Sequence, residues 1–172
     1  MTKAAIISAL ERLHEDSFAW AARCCYGDRA LATDILQVVY LKILEGKAVY
    51  KQKSAFKTWL FSVIRFTAIN HHRKRKIVFE SLEEVKNTTV APAEIIEDNN
   101  YQNRIFEQCL CQLSPRQSQI LHLVFYQQYS IEEAAEIMSV STGTARTHYK
   151  RGKEQLKQHL LVAGITPATF RK

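Results

Sequence analysis

From Ser130 to Arg151 the chain reads Ser-Ile-Glu-Glu-Ala-Ala-Glu-Ile-Met-Ser-Val-Ser-Thr-Gly-Thr-Ala-Arg-Thr-His-Tyr-Lys-Arg. These residue types and spacings suit gripping a DNA duplex. Ser130 can cap a short helix over 131–138. Ser139-Val140-Ser141 can form a tight turn before a longer helix over 142–160. Small Ala134 and Ala135 let the second helix approach, Val140 fills the space between the two, and Ala145 and Tyr149 face inward one turn apart. Thr144, Arg146, Thr147, Lys150 and Arg151 are left on the outer face. Arg grips guanine with two hydrogen bonds and Thr donates to bases or phosphates, so this face fits a major groove. A helical hairpin with a solvated basic face shares part of the pattern. The turn and the basic face together favour a DNA-reading helix-turn-helix.

A second basic cluster, interleaved with aromatics, lies earlier. Lys47, Lys51, Lys53, Lys57, Arg65 and the basic run 73–76 accompany Tyr50, Phe56, Trp59, Phe61 and Phe66. Cations neutralise phosphates, and exposed rings stack on unpaired bases. Phe56 and Trp59 fall on an apolar stripe and are expected in the core. Tyr50, in the polar loop 47–53, is the better stacking candidate. Other reactive side chains suggest no chemistry. His14, His71, His72, His122, His148 and His159 lack nucleophile–base or metal spacing. Cys24-Cys25 and Cys109-x-Cys111 lack the two-residue gap of a zinc half-site and read as small buried side chains. No catalytic residue, metal or cofactor is expected, and the chain does not read as an enzyme.

The elements that must position these residues are helical. Ile6, Ile7, Leu10, Leu13, Phe18, Ala21 and Ala22 predict one helix over 3–26, stopped by Gly27. A second spans 30–45 and ends at Gly46. A third, capped by Ser54, carries Phe56, Trp59, Leu60, Val63, Ile64 and Thr67 and ends in the basic run. Glu80, Glu83, Glu84, Glu94, Glu97 and Asp98 then oppose only Lys86, in a stretch without periodicity. A helix near 101–111 follows, then one capped by Ser114 with Pro115 at its first position, running to about residue 126. The reading is all-α: two small helical domains joined by a flexible acidic linker, the second containing the helix-turn-helix. The expected boundaries are 1–77, a linker over 78–100, 101–161, and a tail over 162–172.

Composition agrees. Only 5 glycines and 3 prolines among 172 residues disfavour a turn-rich β fold. A net charge of +7 and a pI near 9.3 point to a polyanionic partner. The first residues hold no long apolar run, and no stretch approaches a membrane span. A cytoplasmic, soluble protein with no membrane partner is expected.

Taken together, two blocks resemble the extracytoplasmic-function sigma factors, the smallest group of bacterial sigma factors in the sigma-70 family. Asp34-Ile-Leu-Gln-Val-Val-Tyr-Leu-Lys-Ile-Leu44 resembles the helix that binds the polymerase clamp. Ser54-Ala-Phe-Lys-Thr-Trp-Leu-Phe61 through Ala68-Ile-Asn-His-His-Arg-Lys-Arg75 resembles the segment that melts and reads the minus-ten element. Leu113-Ser-Pro-Arg-Gln117 and the helix-turn-helix resemble the domain that reads the minus-thirty-five element. The resemblance implies an alternative sigma factor that directs core RNA polymerase to promoter DNA, with an anti-sigma factor as a candidate further partner. It implies that Asp34, Gln37 and Leu41 contact the clamp, and that Tyr50 sits where the family captures a flipped base. Arg73 and Lys74 would hold backbone near the minus-ten element, and Arg146, Thr147, Lys150 and Arg151 would read or grip the minus-thirty-five duplex. The sequence departs from the family at Val38, where an acidic residue is usual, at Phe66, where many members carry asparagine, and at Ser139, where the turn commonly has glycine. Two rival readings are a helix-turn-helix regulator acting without polymerase and a degenerate sigma that only occupies polymerase.

Overall fold

The computed structural model describes residues 2–81 and 101–164, with side chains described over 2–75 and 105–164. The acidic segment from residue 82 to 100 and the tail from residue 165 lie outside the described residues. Among the described residues there are eight helices and no strand: α1 (Lys3–Arg12), α2 (His14–Cys24), α3 (Arg29–Leu44), α4 (Phe56–Ser81), α5 (Tyr101–Cys111), α6 (Pro115–Phe125), α7 (Ile131–Met138) and α8 (Thr142–Val162). The chain divides into two compact units, the first built on α1–α4 and the second on α5, α6, α8 and the start of α7.

In the first unit, α2, α3 and α4 each pack on the other two, and α1 packs on α2. The single helix expected over 3–26 is two helices, broken at Leu13 (φ −97°, ψ 7°). Leu13 itself fits the apolar stripe, so periodicity runs through the break. The signal for a new start is Glu15 and Asp16, acidic residues in the first turn of α2 that complement the helix dipole. Asp28 caps α3 by accepting the Leu31 N–H at 2.9 Å. Gly46, at φ +73°, ends it as the sequence suggests, donating to the Ile43 carbonyl at 3.1 Å. Along α3, Ile35, Leu36, Val39 and Ile43 are buried, each worth roughly 1.5–3 kcal/mol against exposure.

Ser54 does not cap α4. The Ala55 carbonyl takes the first helical bond, from the Trp59 N–H at 3.0 Å, so Ser54 stands one residue too early. The buried face of α4 also differs from expectation. Leu60, Phe61, Ile64 and Ala68 are fully buried, whereas Phe56 and Trp59 are half-buried. At 3.6 residues per turn, Phe56 and Trp59 lie about 140° and 160° around the helix from Phe61. All three cannot share one side, and Phe61 takes the core. It is therefore not available to stack on bases.

In the second unit, α8 packs on α5 and α6. Leu110, Leu113, Leu121 and Leu156 form its apolar cluster, with Tyr149 and Leu160 packed against it. Pro115 opens α6 behind a capping box in which the Gln117 side chain accepts the Ser114 N–H at 3.2 Å. The cysteines mostly behave as small buried side chains: Cys24, Cys25 and Cys109 are buried, while Cys111 is exposed. Burial pushes the Cys25 thiol up to about 12 and also raises Cys24 and Cys109. At neutral pH these three are protonated and poor nucleophiles.

Candidate nucleic-acid interface

The helix-turn-helix is built from two capped helices and a strained turn. The Ser130 hydroxyl accepts the Glu133 N–H at 3.2 Å, and the Glu133 carboxylate reaches back to the Ser130 N–H at 2.9 Å and O–H at 2.8 Å. Those hydrogen bonds hold the Glu133 carboxyl below its ordinary pKa. At the turn, Ser139 adopts φ +51°, the left-handed conformation that favours glycine. Ser141 caps α8, its Oγ accepting the Thr144 N–H at 3.1 Å.

The outer face of α8 carries the expected groups in distinct states. Arg146, Thr147, Lys150 and Arg151 are exposed, and Thr144 is half-buried. The Thr144 hydroxyl lies 2.8 Å from Ser141 Oγ, and Thr147 donates its hydroxyl to the Gly143 carbonyl at 3.0 Å. Arg146 Nη2 donates to Glu132 Oε1 at 2.9 Å, tying α8 to α7. Read from the sequence, Arg146 is an outer-face cation without this partner. The signal was a glutamate near the start of the preceding helix, fourteen positions upstream. Ala145 is buried and Tyr149 half-buried, on the inward side as expected. His148, next to Tyr149 in the chain, is half-buried. Its burial, with the nearby charges of Arg116 and Arg151, lowers its pKa.

The first unit presents two faces. On α3, Asp34, Gln37, Val38 and Leu41 are all exposed, one residue set at helical spacing, and Leu41 is 57% exposed. A groove beside this helix is lined by Ile7, Leu10, Glu11, His14, Tyr40 and Leu44. On α4, Phe66 is 65% exposed, with Ile69, Arg73 and Lys74 exposed further along. Tyr50 is half-buried: its ring meets Phe56 edge-on at 5.2 Å and Trp59 at 5.3 Å, and its hydroxyl donates to the Ser54 carbonyl. The loop aromatic thus belongs to a three-ring platform at the start of α4, flanked by exposed Lys51 and Lys53. Lys57, a member of the expected basic cluster, pairs with Asp16 at 2.7 Å and ties α4 to α2. Among the described residues no group of His, Cys, Asp and Glu could hold a metal, and no helix is long and apolar enough to cross a membrane.

The family comparisons fall on the same two units. The family model Sigma-70 region 2 matches residues 9–77, and Sigma-70, region 4 matches residues 103–156. Together they take in more than two-thirds of the chain, which belongs to the sigma-70 family. Within that family it is an extracytoplasmic-function sigma factor. It is 28% identical over 141 residues to the ECF RNA polymerase sigma factor SigX of Bacillus subtilis (strain 168), covering 77% of this chain and 72% of that one. It is 24% identical over 159 residues to the sigma factor SigV of the same organism, covering 92% and 93%. In fold it is similar to the sigma factor RpoE of Bartonella quintana, solved in complex with the anti-sigma factor NepR. The TM-score is 0.70, with 22% identity over 92% of this chain and 98% of that one. The protein is an alternative sigma factor, which directs core RNA polymerase to particular promoters and starts transcription there. Sigma factors are initiation factors rather than enzymes.

Proposed function

We propose that residues 1–77 bind core polymerase and open the minus-ten element, and that residues 101–161 read the minus-thirty-five element, with 78–100 as the connecting linker. The observation that carries this division is the chemistry of the exposed faces. The α3 face mixes apolar Val38 and Leu41 with polar Asp34 and Gln37, which suits a protein partner. The α8 face is cationic, which suits a duplex. In this reading Asp34, Gln37 and Leu41 contact the polymerase clamp. Tyr50 captures an unpaired base, and Arg73 and Lys74 hold the backbone beside it. Thr144, Arg146, Thr147, Lys150 and Arg151 engage the upstream duplex.

Each small unit alone binds DNA weakly. Held together on polymerase, the two contacts act at high effective concentration. Base capture offsets an unstacking cost of a few kcal/mol, so opening requires no catalytic group on this chain. The protein works in the cytoplasm, where its template is, and a partner of the anti-sigma class, like the one bound to the RpoE relative, keeps it from polymerase.

Run-off transcription tests the reading. The purified protein is added to sigma-free core polymerase from the source bacterium, with a genomic fragment library as template. Defined new start sites are the expected result. Binding to core without transcripts favours the polymerase-occupying rival. No binding to core favours a regulator that acts alone.

A further inference from the structure

We propose that Glu132 is a positioning residue that makes Arg146 a base reader rather than a phosphate contact, and so sets guanine specificity in the upstream duplex. The inference rests on the reading of α8 as the duplex-reading helix. Its geometry starts from the 2.9 Å bond between Arg146 Nη2 and Glu132 Oε1. The two side chains are 66% and 57% exposed, so the pair adds little to stability and is not explained as a staple of the fold.

Both ends of the pair are anchored. Glu132 is the second residue of α7, whose first turn is locked by the reciprocal Ser130–Glu133 cap. Arg146 is in the second turn of α8, whose start is fixed by Ser141. Of two adjacent carboxylates, Glu133 is consumed by the cap and Glu132 reaches across to the neighbouring helix. The bond to Glu132 takes one hydrogen of Nη2 and leaves the opposite edge of the planar fork, the second Nη2 hydrogen together with Nη1 or Nε, to donate outward. A guanidinium orientated in this way loses less freedom when it meets a rigid acceptor pair.

The carboxylate also discriminates between targets. Guanine O6 and N7 are neutral acceptors and tolerate a carboxylate behind the guanidinium. A phosphate is repelled by it. Glu132 can itself accept from a cytosine amino group in the same groove. Lys150 and Arg151 are exposed and have no such anion paired with them among the described residues, and they serve as phosphate contacts. The helix thus separates reading from gripping by giving one cation a resident anion.

The test uses holoenzyme, assembled from core polymerase and the full-length protein, selecting from templates randomised across the upstream element. Binding competition at several salt concentrations follows. Wild type is expected to prefer G·C at one position, and Arg146→Ala to lose that preference. Glu132→Ala is expected to cut the preference at that position about tenfold. It should also tighten binding to unrelated duplex and steepen the salt dependence by about one phosphate contact. Glu132→Gln, which keeps the acceptor oxygen, should recover most of the preference but not the shallow salt slope. Glu132→Ala should add nothing in an Arg146→Ala background. A Glu132→Ala holoenzyme with intact preference, or one weakened equally on all sequences, overturns the positioning role. Intact preference in Arg146→Ala instead overturns the reading of α8 on which the inference rests.

Discussion

The indole of Trp20 lies flat against the ring of Phe61, with centroids 5.7 Å apart and planes inclined by 10°, and its N–H donates to the Phe61 carbonyl at 2.9 Å. Both side chains are fully buried, so one residue of α2 grips α4 by stacking and by a directed bond at once. Trp20→Phe keeps a ring but loses the bond and some volume, and is expected to cost about 1–2 kcal/mol. Trp20→Ala is expected to cost about 3–5 kcal/mol. Urea unfolding followed by circular dichroism checks both. Equal stability of the Phe variant would mean that the hydrogen bond contributes nothing net.

Gly152 sits in the interior of α8, where glycine is a poor choice for a helix. A Cβ there would come within 3.2 Å of both Gln117 Cβ and Leu121 Cδ1, so its absence is what lets α8 approach α6 this closely. Gly152→Leu is expected to destabilise by about 1–3 kcal/mol through overpacking, despite the better helix propensity of leucine. Thermal unfolding reads this directly. A raised melting temperature would mean that the contact between α6 and α8 is loose in solution.

The all-α class, the helix ends marked by Gly46, Ser114 and Ser130, and the outer face of α8 could be read from the sequence, because each rests on local chemistry. Caps and helical faces depend on residues three or four apart. What could not be read depends on angle or on distant partners. The break at Leu13 is silent in the hydrophobic pattern. The choice of Phe61 over Phe56 and Trp59 for the core is settled by packing against α2, and the burial of Trp20 depends on the same contact. Lys57 and Arg146 looked like equivalent surface cations. Their carboxylates, Asp16 and Glu132, stand on other helices at separations that no spacing rule flags.

His72 gives a pH dependence. Its ring lies 4.7 Å from that of Tyr26, and burial lowers its pKa from 6.5, outweighing a hydrogen bond with the Cys24 backbone that acts in the opposite direction. The unfolded chain therefore binds this proton more readily than the folded one. The contribution of His72 to stability is full above pH 6.5 and is lost as pH falls through the lower folded value. Denaturant midpoints are expected to be flat above neutrality and to decline below it, with a shallower decline in His72→Gln. Identical slopes for the two proteins would assign the acid sensitivity elsewhere, with His148 in the second unit the next group to examine, since its pKa is lowered by burial as well.

Tyr50 separates two accounts of base capture. Its hydroxyl closes the loop onto the Ser54 carbonyl, while its ring leans on Phe56 and Trp59. If the ring stacks on an unpaired base, Tyr50→Phe should open promoters nearly as well as wild type. Tyr50→Ala should then lose about 1–3 kcal/mol of open-complex stability with closed-complex binding little changed. Permanganate reactivity of promoter thymines reads the first quantity, and competition-resistant binding at low temperature reads the second. If the hydroxyl matters because it shapes the loop, Phe and Ala variants should fall together. Wild-type reactivity in both would remove Tyr50 from the melting site and leave Phe66, an exposed ring on α4, as the side chain to mutate next.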